Sequence, residues 1–139
     1  MESYEESLLA TRSRNNMSEI TFKIHEGSGK QAKQEKPWGY EVLWAKTDNY
    51  VGKILHIYAG HRLSKQYHEL KEETIYVLKG VLYNYEEDGS ITKLFPGDSF
   101  HVDPGQVHRF GSAFGDVEIV EVSTPHLADV VRLADDYKR

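Results

Sequence analysis

Gln66, His68, Glu73 and His108 have types and spacings that point to chemistry. Gln66 and His68 are two residues apart, so on a strand both side chains point to one face. Glu73 follows the turn-like stretch 69–72 and opens the apolar run Thr74-Ile75-Tyr76-Val77-Leu78. His108 comes after a Pro104-Gly105 turn, on a later strand. Two imidazoles, one carboxylate and one amide oxygen form a donor set for one divalent transition metal. Zn is the first choice; Mn, Fe, Co and Ni also suit it, and all five suit it better than Ca or Mg. A buried carboxylate beside imidazoles is costly unless paired, and a cation is its natural partner.

The elements that must position these residues are short strands cut by turns. Tyr40–Ala45, Lys53–Tyr58, Thr74–Leu78, Val81–Glu86, Ile91–Phe95, Ser99–Val102, His108–Gly111 and Val117–Val122 read as strands. Between them lie turn signals such as Lys79-Gly80, Asp88-Gly89, Pro96-Gly97 and Pro104-Gly105, the first two suited to hairpins. So many short strands at this spacing predict an all-β sandwich or barrel rather than an α/β fold. Residues 1–35 read as a polar N-terminal extension in which Ile20–Ile24 alternates like an edge strand, and residues 36–139 as the β domain. The tail Leu127–Tyr137 reads as helical or irregular.

The segments Gly60–Gly80 and Gly97–Ser112 resemble the paired motifs of the cupin superfamily, G-x5-H-x-H-x3-4-E-x6-G and G-x5-P-x-G-x2-H-x3-N. Every interval fits, with Gln66 in the first His slot, Asp103 in place of Pro and Ser112 in place of Asn. A Gln, His, Glu, His set is similar to that of phosphomannose isomerases. Lys36-Pro37-Trp38-Gly39, Leu63-Ser64-Lys65-Gln66-Tyr67-His68, His108-Arg109-Phe110 and the tail from Asp129 to Arg139 resemble four ordered motifs of one branch. That branch is the type II mannose-6-phosphate isomerase domain, often fused to mannose-1-phosphate guanylyltransferase. The branch's Arg between the second His and the Glu is Lys71 here, and its following aromatic is Ile75. The resemblance implies a double-stranded β-helix (the cupin jelly roll) and metal-dependent interconversion of mannose 6-phosphate and fructose 6-phosphate.

Such an isomerisation needs a group to move a proton between C1 and C2. With Glu73 committed to the metal, Lys65, Lys71, His56 and His101 are the candidates. For a substrate phosphate, Arg132 is the first choice and Lys53 the second. Arg109, next to His108, is expected in a structural ion pair. Two rivals compete with the isomerase: a cupin oxygenase, disfavoured by Gln66 in a His slot, and a non-catalytic module that binds a sugar phosphate.

Composition narrows the field. No residue is Cys, which excludes disulfides and thiolate ligands and points to a reducing compartment, the cytoplasm. No apolar run reaches the roughly 18 residues of a membrane span, and no leader pattern occurs, so no membrane partner is expected. The net charge of −5 and the lack of a basic face argue against nucleic acid. Without a G-x4-G-K-[ST] phosphate loop, nucleotidyl transfer is not expected of this chain. An open sheet edge favours pairing, so a homodimer is expected, with Ile20–Ile24 as the exchanged strand.

Overall fold

Eleven strands, most of them β-branched and aromatic runs, make up a computed structural model that describes residues 33–139. They are β1 Lys33–Lys36, β2 Gly39–Lys46, β3 Val51–Ile57, β4 Lys65–Tyr67, β5 Glu73–Lys79, β6 Leu82–Tyr85, β7 Ile91–Leu94, β8 Ser99–Val102, β9 Phe110–Gly111, β10 Val117–Ser123 and β11 Val131–Ala134. No helix occurs among the described residues, so none is long and apolar enough to cross a membrane. A six-stranded sheet runs β1-β2-β3-β10-β5-β8, and a three-stranded sheet runs β7-β6-β9. The bridges Arg62↔Gly111 and Gln66↔His108 join the pair β11-β4 to the β9 edge of the three-stranded sheet. All pairings are antiparallel, and β10 reaches across the sequence to sit between β3 and β5. This is the expected all-β double-stranded β-helix.

Period-two alternation fills the interior. Leu55 and Ile57 of β3, Ile75 and Val77 of β5, and Val117 and Ile119 of β10 are all buried. Each such side chain stabilises the fold by roughly 1.5–3 kcal/mol. Continued along the same inward rows, the alternation brings Lys53, Glu73 and Glu121 to one end of the barrel. Lys53 is the cross-strand partner of Glu121, and Glu73 that of Ser123. The barrel therefore has an apolar floor and a charged mouth. At the β5–β6 turn, Gly80 has φ +79°, and a Cβ there would lie 2.3 Å from the Asp116 carbonyl oxygen, so only glycine fits.

Two segments differ from expectation. Within the tail, Val131–Ala134 is strand β11, paired with β4 through Val131↔Tyr67 and Arg132↔Gln66. A short apolar run cannot separate period two from period 3.6, and here the free edge of β4 decides the outcome. At the other end, Lys33–Lys36 pairs with β2 from Lys33↔Val42 to Lys36↔Gly39, so sheet pairing starts ahead of residue 36. This strand has no apolar residue and therefore no hydrophobic pattern to read; charged side chains are common on edge strands. The Ile20–Ile24 segment lies outside the described residues.

His56 points away from the barrel interior. Its Nε2 lies 2.9 Å from Asp116 Oδ2 and its Nδ1 3.0 Å from Glu118 Oε2, while the ring stacks on Tyr40 at 4.8 Å. Burial by itself lowers the His56 pKa, but the Asp116 and Glu118 carboxylates outweigh it and raise it above the ordinary 6.5. A raised folded-state value stabilises the protein fully below the unfolded pKa, and that stability is lost as pH rises through the folded value. Melting temperature should therefore fall from pH 6.5 upward in the wild type. His56→Gln should flatten that slope; an unchanged slope would mean that the cluster contributes nothing to stability.

Candidate metal centre

The short strand β4 carries Gln66, and His68 follows one residue after its end. Residues 69–72 then turn the chain so that Glu73 opens β5 on the inward face. This turn is held by the tail: the Asp129 carboxylate accepts hydrogen bonds from the backbone N–H groups of Glu69, Leu70 and Lys71 at 3.0, 2.7 and 2.8 Å. The backbone amide and carbonyl of His108 exchange hydrogen bonds with those of Gln66, which brings the second motif against the first.

His68, Glu73 and His108 converge in a buried cluster. Glu73 Oε2 lies 3.5 Å from His68 Nε2 and 3.2 Å from His108 Nε2. Donor atoms at about 2.0–2.2 Å from a common ion are separated by about 2.8–3.6 Å, so these gaps match edges of a coordination polyhedron. The rings are oriented by their other nitrogens: His68 Nδ1 is 2.6 Å from the Asp129 carbonyl oxygen and His108 Nδ1 is 3.2 Å from that of Gln106. An Nδ1–H donated to a carbonyl leaves the Nε2 lone pair facing the cluster, the tautomer a metal ligand needs. His68 Nε2 is buried and has no hydrogen-bond partner. Lone pairs converging on one buried point fit a cation.

Gln66 lies at the side of the cluster. Its Oε1 accepts from Ser64 Oγ at 2.7 Å, and its Nε2 is 3.5 Å from His108 Nε2. A hydroxyl both donates and accepts, so a half-turn of the amide keeps the Ser64 bond and aims Oε1 at the cluster.

A second layer of charge surrounds the ligands. Lys71 Nζ lies 3.1 Å from Glu73 Oε1 and 3.0 Å from Glu121 Oε2, the latter an ion pair off hydrogen-bond alignment. Burial alone would depress the Lys71 pKa; the Glu121 and Glu73 carboxylates outweigh it, and the ammonium stays charged. Burial alone would raise the Glu73 carboxyl, but protons held on the facing nitrogens of His108 and His68, together with the Lys71 charge, bring it far below the usual carboxylate range. A bound cation would take the place of those protons. Burial, with the Glu73 charge second, pushes Glu121 up to about 7 against the pull of Lys71 and Lys53.

One pocket joins these groups. Gln66, Glu73, His108, Lys71, Glu121, Lys53 and Arg132 all line it. Of the four candidates for proton transfer, Lys71 lines the pocket, whereas Lys65, His56 and His101 do not. Lys65 reaches toward Glu87 at 4.0 Å, and exposed His101 sits between Glu72 and Asp103 at 3.0 and 3.1 Å. Lys53 contacts both oxygens of Glu41 at 3.3 Å, so its charge is already engaged. Arg132 pairs with β4 through its backbone, and its side chain has no hydrogen-bond or ion-pair partner among the described residues. Arg109 pairs with Asp136 at 2.9 Å and donates to the Leu63 carbonyl. Sequence reasoning missed Glu121, although it continues the inward row of Val117 and Ile119 and could have been placed by period two.

Wild-type protein should take up one divalent ion per chain and gain thermal stability from it, about 2.7 kcal/mol at one hundred times the Kd. Replacing His68 and His108 together by Ala should abolish both effects. Stoichiometric metal retained by the double variant, read by elemental analysis, would mean that other residues bind it.

Comparison with known proteins bears on the fold. The chain is similar to a Klebsiella pneumoniae protein with a double-stranded β-helix domain, at 21% identity and TM-score 0.64, over 86% of this chain and 100% of that one. It is similar to KdgF from a Halomonas species at 21% identity and TM-score 0.61, over 68% and 87% of the two chains. It also resembles a sugar phosphate isomerase of the cupin superfamily from Silicibacter pomeroyi, at 15% identity and TM-score 0.56, over 77% and 67%. Identities this low carry the fold alone. No curated protein matches the chain. The family model described as "Cupin domain" matches residues 53–123, half of the chain and the span that contains Gln66, His68, Glu73 and His108, and on that ground this chain belongs to the cupin family.

Proposed function

We propose that this cupin is a metal-dependent aldose–ketose isomerase that interconverts mannose 6-phosphate and fructose 6-phosphate in the cytoplasm. The observation that carries the proposal is one pocket lined by Gln66, Glu73 and His108 together with Arg132, a cation without an acidic partner among the described residues. Arg132 is the cross-strand partner of Gln66, so the phosphate end and the metal end of a substrate would be held by neighbouring strands. The structural relative described as a sugar phosphate isomerase is consistent with this choice.

The residues divide the work by charge. Arg132 offers a planar fork of donors to a phosphate dianion. A bound Zn or similar ion would supply Lewis acidity and a template for the oxygens on C1 and C2. Glu121, the pocket carboxylate outside the ligand cluster in the row shared with Lys53, takes the proton from C2 of the aldose and returns it to C1. Charged Lys71 beside Glu121 steadies the carboxylate and stabilises negative charge on the enediolate, in which the O2 hydroxyl proton passes to O1 as the ketose forms. The four-way choice of proton-transfer residue thus narrows to Lys71, in a supporting role, with Glu121 as base. A second reading, a metal-containing module that binds a sugar phosphate without turnover, is favoured by the ion pair that already engages Glu121.

A coupled isomerase assay on metal-loaded protein separates the two, since binding without turnover supports the module. Arg132→Ala should weaken phosphosugar binding by 1.5–3 kcal/mol, roughly 10- to 100-fold, with metal content and melting temperature unchanged. Unphosphorylated mannose should barely register the change. Equal losses for mannose and its 6-phosphate, or no phosphosugar binding by the wild type, would rule out this assignment.

A further inference from the structure

We infer that Lys71 is the positioning residue that makes Glu73 a single-oxygen ligand, an inference that rests on the metal role of His68, Glu73 and His108. The two oxygens of Glu73 have different surroundings. Oε2 faces His68 Nε2 and His108 Nε2 at 3.5 and 3.2 Å, whereas Oε1 faces Lys71 Nζ at 3.1 Å. An ammonium beside one oxygen competes with an ion for that oxygen's lone pairs, so the ion is left with Oε2 alone. Without the ammonium, the neighbour left beside Glu73 is the Glu121 carboxylate, an acceptor that repels rather than holds Oε1, and a carboxylate beside a cation can bind through both oxygens.

Lys71 is itself fixed. Its side chain is 9% exposed, its Nζ is also held by Glu121 at 3.0 Å, and its backbone N–H is tied to Asp129 at 2.8 Å. The residue type suits this task. A compact ammonium with three donors can serve one oxygen on each of two carboxylates, whereas a guanidinium fork tends to grip both oxygens of one. Freeing Glu73 Oε1 would displace a bound water, so Lys71 keeps open a position that substrate oxygen can take.

The experiment counts inner-sphere water on Mn(II)-loaded protein by water-proton relaxation, alongside metal stoichiometry. Lys71→Met leaves Glu121 unpaired, so Lys71→Met with Glu121→Gln is measured too, and Glu121→Gln alone serves as the folded control. Four protein donors leave two water positions in an octahedral ion, so relaxation enhancement per bound Mn should fall by about half in both Lys71 variants. It should stay at the wild-type value in Glu121→Gln. Wild-type relaxation in either folded Lys71 variant, a fall in Glu121→Gln alone, or loss of Mn from both Lys71 variants overturns the inference. Recovery in the double variant overturns it as well, because Glu121 would then be the intruding ligand. Failure of the wild type to bind Mn would instead overturn the metal site itself.

Discussion

Lone pairs from two imidazole rings and a carboxylate meet at one buried point, and much of the surrounding structure exists to keep them there. Facing acceptors repel one another unless a cation or a proton lies between them. Leaving a buried charge without its partner costs about 3–5 kcal/mol. His68, Glu73 and His108 come from three separate stretches of chain, so their convergence is imposed by the fold rather than by local geometry. The backbone exchange between Gln66 and His108 sets the distance between the two motifs, and the carbonyls of Asp129 and Gln106 set the rotation of the two rings.

Around that centre the charges alternate. Lys36 and Lys53 flank Glu41 at 3.5 and 3.3 Å, Lys53 pairs across the strands with Glu121, and Lys71 stands between Glu121 and Glu73. Ion pairs at this depth are weak sources of stability, because desolvation offsets most of their attraction. An apolar mouth would pack at least as well. The array makes better sense as a means of fixing carboxylate oxygens beside the metal site.

The strand pattern was legible where one side of a strand is buried, as in β3, β5 and β10. Leu55, Ile57, Val77 and Ile119 lie on inward rows, and the glycine turns between them break the pattern at the expected places. The placement of Gln66, His68, Glu73 and His108 was legible because their spacing relative to flanking glycines is fixed by the turns. β1 and β11 were not legible, since each is held by a partner's open edge and carries little or no alternating pattern of its own. Lys65, His56 and His101 were candidates by proximity in sequence, but period two turns His56 and His101 outward on strands whose neighbours face in. Proximity along a strand is a poor guide to shared space when side chains alternate.

The tail shows why the family match covers less than the functional unit. The matched span ends at residue 123, yet three residues beyond it act on the site. Asp129 holds both the His68 ring and the turn leading to Glu73, Arg132 lines the pocket opposite Gln66, and Asp136 binds Arg62 and Arg109 at 2.7 and 2.9 Å. Arg109 in turn adjoins His108 in sequence, so the Asp136 pair braces the second motif from outside the barrel. Ahead of the span, Lys36, Trp38 and Glu41 line the same pocket. The metal donors are thus set by the shared barrel, while the groups that meet the rest of a ligand come partly from chain on either side of it. In this chain the flanks give the pocket Lys36, Trp38 and Glu41 from one side and Arg132 and Arg139 from the other, beside lining residues that come from the matched span.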